Sequence, residues 1–198
     1  MISQEISVNG AKIHYLEVGN PQLDSILLLH GASFQAQTWQ EIGVLEALLK
    51  AGYSAIAIDL PGYGQSQSLL GFEATFLTTF IDSLNLKYPI IVSPSMSGRY
   101  SFPLVTQYAD KLGAFVAVAP VGIKEFKEQL MGIKLPTLAI WGSNDRTVPV
   151  SLAEELITFL PNAQKVILKN AGHACYMRAT TEFIEHLLEF VEKIPKEM

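Results

Sequence analysis

Residues 89–105 read PIIVSPSMSGRYSFPLV. Pro89 to Val92 opens a short apolar run, the pattern of a strand covered on both faces. From Gly98 onward the chain reads as a helix. Between them, Ser93-Pro94-Ser95-Met96-Ser97-Gly98 leaves room only for a sharp turn. A strand that turns abruptly into a helix brings backbone segments close together. Only small side chains fit two positions before and two after the central residue. Ser93 and Ser97 occupy those positions around Ser95. The pattern is a nucleophile elbow, Gly-x-Ser-x-Gly, with both outer glycines replaced by serine. Such a turn lifts the Ser95 hydroxyl over the sheet and points the Met96 amide, at the start of the helix, toward the same spot.

Outward from this turn, strands and helices alternate. Upstream, EISVNGAKIHYLEVG (5–19) reads as two β-runs around Asn9-Gly10, a strong hairpin signal. SILLLHG (25–31) and YSAIAIDLPGYG (53–64) are buried strands running into turns, and TWQEIGVLEALLKAG (38–52) between them has helical spacing. EATFLTTFIDSLNL (73–86) is helical. Downstream come the helix GRYSFPLVTQYADKL (98–112), the strands GAFVAVAP (113–120) and PTLAIWG (136–142), the helix SLAEELITFL (151–160) and the strand-and-turn AQKVILKNAGH (163–173). TTEFIEHLLEFVEKI (180–194) closes as an amphipathic helix. The alternation predicts one α/β domain over residues 1–198. Its sheet is mostly parallel and about eight-stranded, with a leading antiparallel hairpin and helices on both faces. Ligands of such sheets bind at the carboxyl ends of the strands.

A serine hydroxyl is a poor nucleophile without an adjacent base. Asp145 follows one strand in LAIWGSNDRTVP and His173 follows the next in VILKNAGHACY, 50 residues after Ser95 and 28 after Asp145 respectively. In this arrangement His173 takes the Ser95 proton, and Asp145 fixes the imidazole tautomer and stabilises its charge. The loop in LLLHGASFQAQTW supplies the remaining part, an Ala32 amide aimed with the Met96 amide at a tetrahedral oxyanion. Each such donor contributes about 3–4 kcal/mol in comparable sites. Ser33, Phe34, Trp39 and Arg99 are the candidate substrate-pocket residues; Phe34 and Trp39 either line the pocket or pack, and Arg99 either meets an acidic group or pairs at the surface. His30 reads as a support of the oxyanion loop, and Asp59 as a hydrogen-bond acceptor for the turn after its strand. His14 and His186 read as surface or packing residues, Asp82 as solvated, and Cys175 as a core thiol.

Composition narrows the function further. With 49% hydrophobic and 17% charged residues in 198, the chain is built to bury a core. Its net charge of −5 is spread out, and no Lys/Arg cluster marks a nucleic-acid footprint. The N-terminus has neither the basic start nor the apolar run of a signal peptide, and no segment approaches the roughly 20 apolar residues of a membrane helix. One cysteine allows no internal disulfide. These features predict a cytoplasmic protein without a membrane partner. No His, Cys and acid cluster has metal-ligand spacing, and the reading requires no cofactor.

The segments HGASF, DLPGYGQS, SPSMSG and the GSNDRTVP/AGH pair together resemble the α/β-hydrolase family over nearly the whole chain. HGASFQAQTW and SPSMSGRYSFPL are most similar to the small cap-less alpha/beta-hydrolase domain-containing protein 14 group. The resemblance implies activity on small acyl esters, with coenzyme A or another acyl acceptor as an alternative partner. About 15 residues, VGIKEFKEQLMGIKL, separate the strand ending near Pro120 from the one starting near Pro136. They allow a short helix but no cap domain, so the expected site is shallow and open, suited to small substrates. Three readings follow: a serine hydrolase of short acyl esters acting through an acyl-enzyme on Ser95, an acyltransferase or deacylase that passes the acyl group to a thiol or amine, and a binding or signalling protein that retains the triad.

Overall fold

The computed structural model describes residues 1–20, 25–69, 71 and 73–195. In chain order its elements are β1 (Ile2–Val8), β2 (Ala11–Val18), β3 (Ser25–Leu28), α1 (Ala36–Glu41), α2 (Val44–Lys50), β4 (Ser54–Ile58), α3 (Glu73–Ser83), β5 (Ile90–Pro94), α4 (Gly98–Tyr108), β6 (Ala114–Val118), α5 (Lys127–Leu130), β7 (Thr137–Gly142), α6 (Ser151–Phe159), β8 (Ala163–Leu168), α7 (Cys175–Arg178) and α8 (Thr180–Val191). The eight strands form one sheet in the order β1-β2-β4-β3-β5-β6-β7-β8. β1 and β2 are antiparallel, as is β2 to β4; every other pairing is parallel.

The hairpin register pairs Val8 with Ala11, leaving Asn9 and Gly10 as a two-residue loop, and both have positive φ, +49° and +84°. That is the backbone a tight turn matched to strand twist demands. Along the parallel strands the side chains alternate between two cores. Leu27, Ile56, Ile91, Phe115, Ala139 and Trp141 join one with Phe76, Phe80, Phe102 and Leu156. Ile26, Leu28, Val92, Val116 and Ile140 join the other with Trp39, Leu48, Phe183 and Leu187. The period of two therefore sends one face of the sheet to α3, α4 and α6 and the other to α1, α2 and α8.

Two local differences from the sequence pattern have plain causes. The single helix expected over residues 38–52 is broken into α1 and α2 because Gly43 sits at φ +78°, which no helix accommodates. The short α7 after His173 has no counterpart in the sequence reading; four residues are too few to show a period. Between β6 and β7 only α5 is helical, so no cap covers the strand ends.

Helix α4 begins where it does because Gly98 lets it touch the chain after β6. A Cβ at Gly98 would collide with the Val121 carbonyl oxygen. Gly98→Ala is expected to lower stability by about 1–3 kcal/mol through this overpacking, read as a lower urea midpoint with an unchanged denaturant slope.

Candidate active site

Ser95 follows β5 directly and opens a 3-10 turn, Ser95–Ser97, that runs into α4. Its φ is +53°, a left-handed conformation that costs a non-glycine residue of order 1–3 kcal/mol. The surroundings hold it there. The Ser95 carbonyl accepts the Val121 amide at 2.9 Å. Beneath the turn lie Ser93, Ser97 and Ser101, all fully buried. Ser97 Oγ donates to the Pro94 carbonyl at 2.8 Å. Each hydroxyl has one proton, so at the 3.0 Å Ser93–Ser97 contact Ser93 must donate, and at the 2.7 Å Ser93–Ser101 contact Ser101 must donate. The result is a one-way chain, Ser101 to Ser93 to Ser97 to the Pro94 carbonyl, with every buried hydroxyl satisfied. The serines that replace the usual glycines are thus a polar clamp under the turn. The position that tolerates no side chain is Gly98.

His173 Nε2 lies 2.8 Å from Ser95 Oγ, and His173 Nδ1 lies 2.8 Å from Asp145 Oδ2. A carboxylate can only accept, so Nδ1 carries the proton and Nε2 is free to accept from the serine. The Asp145 side chain is fully enclosed, while the His173 ring keeps 23% exposure. The other carboxylate oxygen, Oδ1, accepts the amides of Thr147 at 2.8 Å and Val148 at 2.9 Å. These bonds leave Asp145 one orientation. The acid and histidine loops are themselves joined: the Ser143 amide donates to Leu168 and the Asn144 amide to Ala171, each at 2.9 Å. A Cβ at Gly142 would strike the Gly172 carbonyl, so this glycine sets how closely the two loops approach.

The loop after β3 reaches Ser95 from the other side. The Phe34 amide donates to the Gly31 carbonyl at 3.1 Å, turning the chain with Ala32 and Ser33 at the tip. Gly31 packs beside Ser95, where even an added Cβ would sit 3.5 Å from Ser95 Cβ. His30 is buried beneath this loop. Its Nδ1 donates to the Gly31 carbonyl at 2.8 Å and its Nε2 accepts the Leu60 amide at 3.0 Å. An Nε2 that accepts requires a neutral ring, and burial pulls its pKa below the ordinary histidine value. Asp59 holds the far end of the loop: its Oδ1 accepts the Ala36 amide at 2.7 Å and its Oδ2 the Gln65 amide at 2.9 Å. His30 and Asp59 therefore support the loop and the following turn, as their sequence context suggests.

A pocket of ≈ 230 Å³ opens over Ser95 and His173, lined by Ala32, Ser33, Phe34, Val118, Thr147 and Tyr176 among others. A groove of ≈ 290 Å³ meets it at Thr147 and runs between residues 121–125 and 147–152. A larger cavity of ≈ 450 Å³, lined by Tyr88, Gly113 and Pro136, lies at the opposite end of the strands, far from this chemistry. Two candidate pocket residues fall elsewhere. Trp39 is fully buried; its indole N–H donates to Leu29 at 2.8 Å and its ring stacks on Tyr176 at 4.9 Å, so it backs the pocket without lining it. Arg99 is exposed and outside the pocket lining. Sequence reading missed Ser101, Val118, Thr147 and Tyr176. Tyr176, three residues past His173, and Thr147, two past Asp145, could have been found by following each strand-end loop further. Cys175 is a buried thiol pushed up to about 12 by desolvation, unfit as a nucleophile. His14, read as a surface or packing residue, is buried with its Nδ1 2.7 Å from Asp59 Oδ2. Among the described residues no cluster of three or more His, Cys, Asp or Glu could hold a metal ion.

An eight-stranded sheet with a leading antiparallel pair and an acid, histidine and serine meeting at its strand ends defines a class, the α/β hydrolases. Residues 26–131, just over half of the chain, match the model of the alpha/beta hydrolase family, and the chain belongs to that family. Within it, the chain is 37% identical to the human protein named "Putative protein-lysine deacylase ABHD14B", over 94% of this chain and 93% of that one. It is 39% identical to ABHD14A of Danio rerio over 88% of this chain, spanning 66% of that protein's length. The crystal structure of a predicted CIB-like hydrolase from Thermoplasma acidophilum superposes with a TM-score of 0.92 at 27% identity, covering 98% of each chain.

The neutral His30 carries a pH consequence. Its pKa is lowered on folding, so the unfolded chain binds the proton more readily. Its contribution to stability is full above the unfolded value of about 6.5 and is lost as the pH falls below it toward the folded value. The difference in unfolding free energy between wild type and His30→Asn is expected to shrink between about pH 6.5 and pH 5. Denaturant titrations at each pH measure it; a difference that grows on acidification would refute the neutral assignment.

Proposed function

We propose that the protein is a serine hydrolase that cleaves short acyl esters through an acyl-enzyme on Ser95. The observation that carries this reading is the continuous relay from Asp145 through His173 to Ser95, at 2.8 Å and 2.8 Å, beneath a pocket with no cap. In the proposed mechanism Ser95 Oγ attacks the acyl carbonyl as its proton passes to His173 Nε2. Asp145, already saturated by two amides, balances the imidazolium charge without moving. The Met96 amide lies in the first turn of the 3-10 segment, where amides have no intrahelical acceptor. With the Ala32 amide it stabilises the oxyanion. His173 then protonates the leaving group, and water repeats the sequence to release the acid.

A second reading has its own support. The human relative's name specifies a protein-lysine deacylase, and the groove beyond Thr147 opens beside the nucleophile where a polypeptide could lie. On this reading the scissile bond is an amide, the leaving group is the lysine amine, and proton delivery by His173 carries more of the barrier. A binding role that leaves the triad unused is separated from both by reactivity at Ser95.

One equivalent of a fluorophosphonate is expected to label Ser95, and not Ser93 or Ser97, as mapped by peptide mass spectrometry. Ser95→Ala should reduce hydrolysis of an aryl acetate by about 10³-fold or more, and Asp145→Asn should lower kcat by up to about 10⁴ with an unchanged circular dichroism spectrum. An equal kcat loss in Asp59→Asn would mean that the acid is misassigned.

Chain-length dependence tests the open pocket. A buried methylene contributes about 0.8 kcal/mol and an exposed one almost nothing. Across p-nitrophenyl esters from acetate to laurate, kcat/KM should rise little beyond about four carbons, then fall as the chain meets Phe34. A steady rise to laurate, or a rate jump at aggregation, would show that the segment between β6 and β7 acts as a lid.

A further inference from the structure

The fold contains a second serine–histidine–aspartate array. His14 on β2 is buried, and its Nδ1 lies 2.7 Å from Asp59 Oδ2. Asp59 is 2% exposed and accepts two backbone amides, from Ala36 and Gln65. A carboxylate bound in this way can only accept from the ring, so Nδ1 carries the proton and Nε2 presents its lone pair outward. Ser3 Oγ on the edge strand β1 lies 2.9 Å from that Nε2. The pattern repeats the Asp145 relay part for part: an enclosed acid, two amides, one imidazole, one hydroxyl. A fourth part is present as well. The Gln65 carboxamide nitrogen approaches the same Nε2 at 3.4 Å, which places an N–H donor beside the Ser3 hydroxyl. Ser3 and Gln65 are both exposed.

We propose that Ser3 is a second activated nucleophile, a site of self-acylation by activated acyl donors of the aryl ester or thioester class. Ser3 Oγ attacks the donor carbonyl while its proton moves to His14 Nε2. That proton transfer takes away the acceptor facing Gln65, whose N–H turns to the developing oxyanion. The bond from the carbonyl carbon to the leaving oxygen or sulfur then breaks, and the proton on His14 leaves with that group. The products are an acyl ester on Ser3 and a free phenol or thiol, with His14 neutral again. Ser3 lies within the strand β1 and not in a left-handed turn, and among the described residues the single Gln65 N–H is the donor at hand for an oxyanion, so the second half of a hydrolytic cycle is slow. The Ser3 ester accumulates as a stable adduct instead of turning over.

The site acts without Ser95, so its test uses Ser95→Ala, which removes the proposed hydrolase activity. That variant is incubated with excess p-nitrophenyl acetate and digested, and the adducts are located by fragmentation. Alkaline hydroxylamine, which cleaves serine oxyesters but leaves acylated amines, separates an adduct on Ser3 from acylation of nearby amines. The expected result is a hydroxylamine-sensitive acetyl group on Ser3, formed at least tenfold faster than on any other serine. Ser3→Ala should abolish it, Gln65→Ala should slow it severalfold, and His14→Gln should slow it tenfold or more. Ser3→Ala alters only an exposed side chain, so it remains informative if His14→Gln fails to fold. Acetylation spread evenly over the serines, or a Ser3 rate unaffected by Gln65→Ala, would overturn the proposal. Unchanged turnover in Ser95→Ala would instead count against the hydrolase reading and leave the Ser3 result to stand by itself.

Discussion

The left-handed turn at Ser95 is a local cost that distant contacts must offset. It persists because the chain on both sides is fixed. β5 is held in the middle of the sheet between β3 and β6. α4 is pressed against the segment after β6 at Gly98, and the Val121 amide bonds the Ser95 carbonyl itself. A relaxed backbone at Ser95 would break that bond and the serine clamp together. The placement of the hydroxyl is thus set by strand pairing and helix packing, not by the serine side chain. The elbow, the pocket and the relay all depend on this constraint.

The acid and the histidine reach the same point by a different route. Neither loop is rigid by composition, yet each is pinned by backbone bonds to the other and by the absent side chain at Gly142. Asp145 is held by three donors and enclosed, so its carboxylate is fixed in one orientation toward His173. Asp59 obeys the same rule beside the loop after β3, with three donors of its own from α1, the following turn and His14. Two enclosed carboxylates, each satisfied mostly by backbone amides, hold the two sides of one pocket.

Much of this was legible in the sequence because it rests on short-range signals. The period-two strands, the Asn9-Gly10 turn and the acid and histidine each just past a strand all leave local marks. What stayed hidden depends on three-dimensional neighbours. The serine clamp needs Ser101, which is eight residues from Ser93 and meets it only because α4 folds back over β5. His14 looks peripheral on a hairpin until β2 pairs with β4 and brings Asp59 to its ring. Trp39 looks like a pocket aromatic because it follows the loop after β3, but the pocket belongs to Tyr176, which lies on top of it. Gly43 breaks a helix whose apolar spacing runs straight through the break, because periodicity records burial and not φ.

The same geometry indicates where specificity resides. In hydrolases with caps, inserted helices can enclose the substrate; here the rim is made of strand-end loops that also carry Ser95, Asp145 and His173. Thr147 shows the consequence. Its amide orients Asp145, and its residue stands where the pocket over Ser95 meets the groove along residues 121–125. A change in the shape of this loop would therefore also disturb Asp145. Tyr176 is coupled in the same way, three residues past His173 and stacked on the core through Trp39. Specificity in this frame therefore has little freedom to vary at the loop backbones. It is left to side chains that touch the pocket without orienting the relay, of which Phe34, Val118 and Ser33 are the clearest.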